Sequence, residues 1–129
     1  PRQHSEKLIP TIVKSILDNK KIPVYGDGKN IRDWLYVKDC VKAIRRVLIS
    51  GMDNHTYNIT HNNEMTNLEI INRVCDIMSV NREGAISFVK DRQGHDYRYS
   101  ISNKKIFHIG LSRETNFDKA LAETIDFYR

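Results

Sequence analysis

The sequence predicts an α/β (α+β) fold, one domain of helices mixed with short strands. Three observations predict it. Apolar residues recur at helical spacing in several separate stretches. Short runs rich in β-formers, such as IPVY, IRDWLYV and AISFVK, fall between those stretches. No linker, internal repeat or low-complexity segment divides the 129 residues, a length that suits one modest core.

The elements follow in order. Ser5, with Glu6 in the first turn, predicts a helix start. Leu8, Ile9, Ile12, Val13, Ile16 and Leu17 supply its apolar face, and Pro10 falls early enough for its missing N–H to be tolerated. IPVYGDG is an extended piece closed by a turn, because Asp27 and two glycines favour positive φ. IRDWLYV alternates like a strand, so Gly26 to Gly28 is expected to join two antiparallel strands. Asp39 is placed to cap a helix that Gly51 ends. HTYNIT reads as a short β-run and HNNEMT as a polar loop. Thr66, with Glu69 three residues on, predicts a capping box on NLEIINRVCDIM. AISFVK is a strand, DRQGHDYRYS a polar loop, and SNKKIFHIG a short helix ended by Gly110. NFDKALAETIDFYR closes the chain as an amphipathic helix.

Bulk properties exclude several classes. A net charge of +5 suggests an anionic partner only weakly, since the cations are spread along the chain. No basic helix, zinc spacing or aromatic RNA-binding signature supports nucleic acid. No apolar run approaches the ~20 residues of a membrane helix, and no leader pattern is visible, so a cytoplasmic location is expected. Cys40 and Cys75 sit in helix-like stretches and read as buried, reduced thiols. PRQHSEKLIP, without an initiator Met, reads as an excerpt of something longer.

Chemistry is sparse. No Ser or Cys sits in a strand–turn–helix elbow, no phosphate-cradling loop or dinucleotide fingerprint is present, and GDG lies between two strands rather than opening a helix. The histidines are scattered and suggest neither metal site nor catalytic pair. Binding-type pieces remain. Arg32 follows a tight turn beside Trp34 and Tyr36, Asn67 sits just after a helix cap, and Asp91, Arg92, His95, Asp96, Arg98 and Tyr99 surround Gly94. Guanidinium forks and helix N-termini both favour anions, so the set is open to two readings, a diphosphate clamp or a group of solvated loop charges. Each charge taken alone reads first as a solvated loop residue.

EKLIP, PVYGDGKNIRDWLYVKD, TYNITHNNEMTNLEII and DRQGHDYRYSIS, in this order, resemble the C-terminal part of dTDP-glucose 4,6-dehydratases, nucleotide-sugar enzymes of the extended short-chain dehydrogenase/reductase family. The resemblance covers essentially the whole chain. It implies that residues 1–129 form the substrate-binding part of a larger enzyme. Upstream would lie a Rossmann domain with NAD, the catalytic residues and the helices of a homodimer interface. The implied partner is dTDP-glucose or a related nucleotide sugar, with no catalytic residue and no metal in this part. Carried over by position, Lys7 and Leu8 resemble contacts near the diphosphate and base. Pro23, Val24 and Tyr25 resemble the strand that meets the base, Arg32 the diphosphate arginine, and Asn67 a further nucleotide contact. Asp91, Arg92, Gly94 and His95, followed by Asp96 and Tyr99, resemble the loop that touches ribose and phosphates. Trp34 and Tyr36 are expected to pack inward and hold the arginine's strand. The chain departs from the family pattern where YNITHNNE lacks two glycines and where Ser112 replaces a tryptophan. Two other readings stand beside this one: a UDP-sugar epimerase or dehydratase relative, and a non-enzymatic module that binds an anion. An isolated chain of this kind is expected to expose apolar faces, such as that of Ile12 and Ile16.

Overall fold

The computed structural model describes residues 1–111 and 115–129; the position of Ser112 lies outside them. In chain order the elements are α1 (Leu8–Leu17), β1 (Ile22–Tyr25), β2 (Ile31–Asp33), α2 (Val37–Ser50), β3 (Glu64–Thr66), α3 (Asn67–Met78), β4 (Ile86–Val89), α4 (Lys104–His108) and α5 (Phe117–Tyr128). Helices α1, α3 and α5 pack on one another, and α1 also packs on β1. Their shared core holds Ile12, Val13, Ile22, Val24, Ile70, Ile71, Val74, Leu121 and Ile125. The helical spacing of Ile70, Ile71 and Val74 is what directs one face of α3 inward.

Helix starts obey local chemistry to different degrees. Thr66 and Glu69 form the expected capping box: Thr66 Oγ1 accepts from the Glu69 amide at 3.1 Å, and Glu69 Oε2 accepts from the Thr66 amide at 2.7 Å. Asn116 caps α5 through the Lys119 amide. Ser5 does not cap α1. The helix begins after Lys7, and the Ser5 carbonyl instead accepts from Thr11 Oγ1 at 3.0 Å. Asp39 does not cap α2 either; it sits in the first turn, after the N-cap Tyr36, and accepts from Thr115 Oγ1 at 2.8 Å. Gly51 does end α2, but with φ −73° rather than a left-handed cap. A Cβ there would lie 2.5 Å from the Val47 carbonyl, so close backbone approach explains the glycine.

The strands correct the expected hairpin. β1 pairs in parallel with β4, Val24 opposite Phe88, whereas β2 pairs antiparallel with β3, Arg32 opposite Met65. The Gly26–Gly28 turn therefore carries the chain from one two-stranded sheet to the other. Long-range pairing won over the local hairpin signal: with β4 as its partner and α1 packed on it, β1 buries Ile22 and Val24 almost completely. The strand expected over IRDWLYV stops at Asp33. HTYNIT is not a strand, and the last three residues of HNNEMT are β3. Asp33 fixes this region: its carboxylate accepts from the amides of His61 (3.3 Å), Asn62 (2.9 Å) and Asn63 (3.2 Å). Asn62 supplies a positive φ of 52°, a backbone state that asparagine tolerates.

Burial also differs from expectation. Cys75 is buried but Cys40 is only half-buried; both are free thiols. Ile12 is fully buried and Ile16 packs on the core, so that face is not exposed. The uncovered apolar face belongs to α2, where Val37, Val41, Ile44 and Leu48 form one stripe and Leu48 is 82% exposed. No helix among the described residues is long and apolar enough to cross a membrane.

Candidate functional site

A groove of about 730 Å³ opens between the start of α1, the end of β1, β2, the start of α3 and the segment after β4. Arg32 lies in its wall. The guanidinium donates to the carbonyls of Ile31 (2.7 Å), Asp96 (2.8 Å) and Tyr97 (3.3 Å), and sits 4.3 Å from the centroid of the Tyr99 ring. Those bonds hold the planar fork in one orientation and leave Nε–H and one Nη2–H without a partner among the described residues, enough for one forked anion. Trp34 steadies the same strand: it packs on the core, and its indole N–H donates to the Met65 carbonyl at 3.1 Å.

The turn ahead of Arg32 is built by two close approaches. Gly28 has φ +71°, and a Cβ would lie 2.7 Å from both Leu68 Cγ and Val24 Cγ1. Gly26 has φ +59°, and a Cβ would lie 2.9 Å from Asp91 Oδ2. The glycines thus seat the turn against α3 and against the loop after β4.

That loop carries its own scaffold. Asp91 Oδ1 accepts from the Arg92 amide at 2.8 Å and from His95 Nδ1 at 2.6 Å. Arg92 Nη2 approaches His95 Nε2 at 3.3 Å, and since a guanidinium only donates, the ring proton is assigned to Nδ1. The hydrogen bond from His95 holds the Asp91 carboxyl below the usual carboxylate range, helped by the Arg92 amide. Gly94 supplies φ +68° in open space. Arg92 also lies 5.2 Å from the centre of the Tyr25 ring. The Tyr99 hydroxyl donates to Asp96 Oδ2, and that bond raises the phenol's pKa.

The groove gathers Lys7 and Leu8 from the α1 start, Pro23 and Tyr25 from β1, and Arg32 and Asn67. Arg92, Gly94, His95, Asp96 and Tyr99 complete the set from the far loop. Two expected residues stand apart. The Val24 side chain is in the core, 2% exposed, because alternation along β1 turns it away from Pro23 and Tyr25. Asp91 stands behind the wall as the partner of His95. The start of α3 also differs from the expected anion site. Its first amides are taken within the chain: Asn67 N donates to the Asn30 carbonyl and Leu68 N to that of Gly28, each at 3.1 Å, and Glu69 N to Thr66 Oγ1. Only the Asn67 side chain faces the groove's space. Glu6, Thr11 and Gln93 line it as well and were not foreseen; Thr11 follows Lys7 at i+4, the spacing that marks a shared helix face. Trp34, expected in the core, contributes to both core and groove.

The groove thus combines the cations Lys7, Arg32 and Arg92 with the Tyr25 and Tyr99 rings and the Asn67 side chain. A family model described as GDP-mannose 4,6 dehydratase matches residues 1–124. The chain belongs to that family. This member is 41% identical, over 99% of its length, to a probable dTDP-glucose 4,6-dehydratase of Sinorhizobium fredii. It is 40% identical, over 98% of its length, to the dTDP-glucose 4,6-dehydratase of Haemophilus influenzae. The match takes in 39% and 40% of those proteins, so the chain spans about two fifths of the curated relatives it matches. Among solved structures, the dTDP-glucose 4,6-dehydratase of Bacillus anthracis, in complex with NAD, superposes with a TM-score of 0.92 at 40% identity, over 99% of this chain and 40% of that one. A UDP-glucuronic acid 4-epimerase of Bacillus cereus reaches a TM-score of 0.90 at 21% identity, over 99% of this chain and 41% of the epimerase, and shares the fold.

Proposed function

We propose that this chain is the sugar-nucleotide-binding part of an NAD-dependent dTDP-glucose 4,6-dehydratase, which converts dTDP-glucose to dTDP-4-keto-6-deoxyglucose and water. The single observation that carries the reading is Arg32, held as a partly free fork in the groove it shares with residues 92–96. A diphosphate carries negative charge that a guanidinium receives in a bidentate manner. Tyr25 offers a flat face for the base, where stacking contributes about 1–3 kcal/mol. Lys7, Asn67 and the 91–99 loop surround the rest of the nucleotide. The identities of about 40% to proteins of that name, over nearly all of this chain, support the choice of sugar nucleotide.

The residues here do not suit NAD itself. The GDG turn links two strands rather than opening a helix, and the amides at the start of α3 are spent inside the chain, so neither offers the row of free N–H groups that a dinucleotide cradle needs. NAD, the catalytic acid and base, and the homodimer contact belong to the other part of the protein, which would also cover the apolar stripe of α2. A cytoplasmic enzyme fits this reading. The complete protein supplied with dTDP-glucose should release the 4-keto sugar, and residues 1–129 alone should not. Turnover by the isolated chain would overturn this division of labour, and equal turnover of UDP-glucose would overturn the assigned base.

A further inference from the structure

We infer that Glu64 is a positioning residue for the anion fork of Arg32, acting through Arg98 and the strand-like segment that carries Tyr99. This rests on the groove reading above and deepens it. β2 lies between two neighbours. β3 pairs on one side, and on the other Ile31 bridges Arg98, with Ile31 N donating to the Tyr97 carbonyl at 2.8 Å and Tyr99 N to the Ile31 carbonyl at 3.4 Å. The second contact is short and weak, and alone it would not fix the segment. Glu64 spans the gap. Its carboxylate accepts a fork from Arg98, Nε at 2.7 Å and Nη2 at 3.0 Å, and a third bond from Ser100 Oγ at 2.6 Å. Alternation along an extended chain then sends Tyr97 and Tyr99 to the opposite face from Arg98 and Ser100. That opposite face is where Tyr99 lies against the Arg32 guanidinium, and the Asp96 and Tyr97 carbonyls that receive its N–H groups belong to the same segment. The Glu64 fork therefore sets the carbonyls and the ring that aim Arg32, without itself lining the groove. The test is binding of dTDP to the complete protein, read by calorimetry. Glu64→Gln should weaken dTDP about fivefold to tenfold, as loss of a charge-assisted fork predicts, and Arg98→Lys should do the same. In an Arg32→Ala background Glu64→Gln should have no further effect, and exchanging the pair as Glu64→Arg with Arg98→Glu should restore part of the affinity. Unchanged affinity in Glu64→Gln, or a full additive loss on top of Arg32→Ala, would overturn the positioning role. A silent Arg32→Ala would instead overturn the groove reading on which it stands.

Discussion

The guanidinium of Arg32 lies over the ring of Tyr99, 4.3 Å from its centroid, although the two residues are far apart in sequence. The contact is favourable in itself, since a cation over an aromatic face is attracted by the ring quadrupole. Its larger consequence is geometric. Three carbonyl bonds and one ring leave the arginine a single way to present its remaining N–H groups. A long, flexible side chain is thereby ordered before any anion arrives, which lowers the entropy lost on binding.

The turn that precedes Arg32 should be intolerant of any side chain at Gly28. Gly28→Ala faces both a positive φ and atoms at 2.7 Å, whereas Gly94→Ala faces only a positive φ. Chemical denaturation should show a loss of about 1 kcal/mol for Gly94→Ala and a clearly larger one for Gly28→Ala. Equal losses would mean that Leu68 and Val24 do not pack against the turn as described.

The α3 start should behave as a reciprocal unit. Thr66→Ala and Glu69→Ala should each cost about 1 kcal/mol of stability, and the double variant should cost less than the sum. The bond from the Thr66 amide holds the Glu69 carboxyl below its ordinary range, with the Thr66 hydroxyl adding to it. A strictly additive double variant would contradict the box.

Acid should loosen the loop after β4. The Asp91 carboxyl is held down mainly by His95, so its contribution is present above the ordinary carboxylate pKa of about 3.9 and is lost as pH falls through the lower folded value. Amide exchange at Arg92 and His95 should stay protected from neutral pH to about pH 5 and rise below about pH 4. Asp91→Asn should expose both amides across that whole range; retained protection in this variant would place the loop's order elsewhere.

The exposed stripe of α2 should make residues 1–129 self-associate when produced alone. Val41→Lys with Leu48→Lys should reduce that association in sedimentation experiments while leaving helix content unchanged. A monomer without these substitutions would show that the stripe is tolerated in water.

Much of this architecture was legible in the residues. The capping box at Thr66, the helical spacing that buries Ile12 and Val13, and the glycine turn before Arg32 all follow from local rules. The pairing of β1 with β4 was not legible, because a parallel partner more than sixty residues away leaves no local mark and the intervening turn imitates a hairpin. Ser5 and Asp39 looked like caps, yet the Ser5 carbonyl accepts from Thr11 in the helix that follows it, and the Asp39 carboxylate accepts from Thr115, which tertiary packing brings to it. At the site, residue identities carried further than orientations. The strand alternation that points Tyr25 outward also sends Val24 into the core, and the asparagine and glycine carbonyls that consume the α3 amides come from the turn itself. Asp33 gave no signal beyond its type, since its three amide partners lie in a loop whose path it determines.

The most direct test of the central claim is calorimetric titration of dTDP into the complete protein with Arg32 intact and with Arg32→Ala. Loss of a forked, charge-assisted contact predicts affinity weakened about tenfold to a hundredfold. A dissociation constant that does not change on removing this guanidinium would contradict the account.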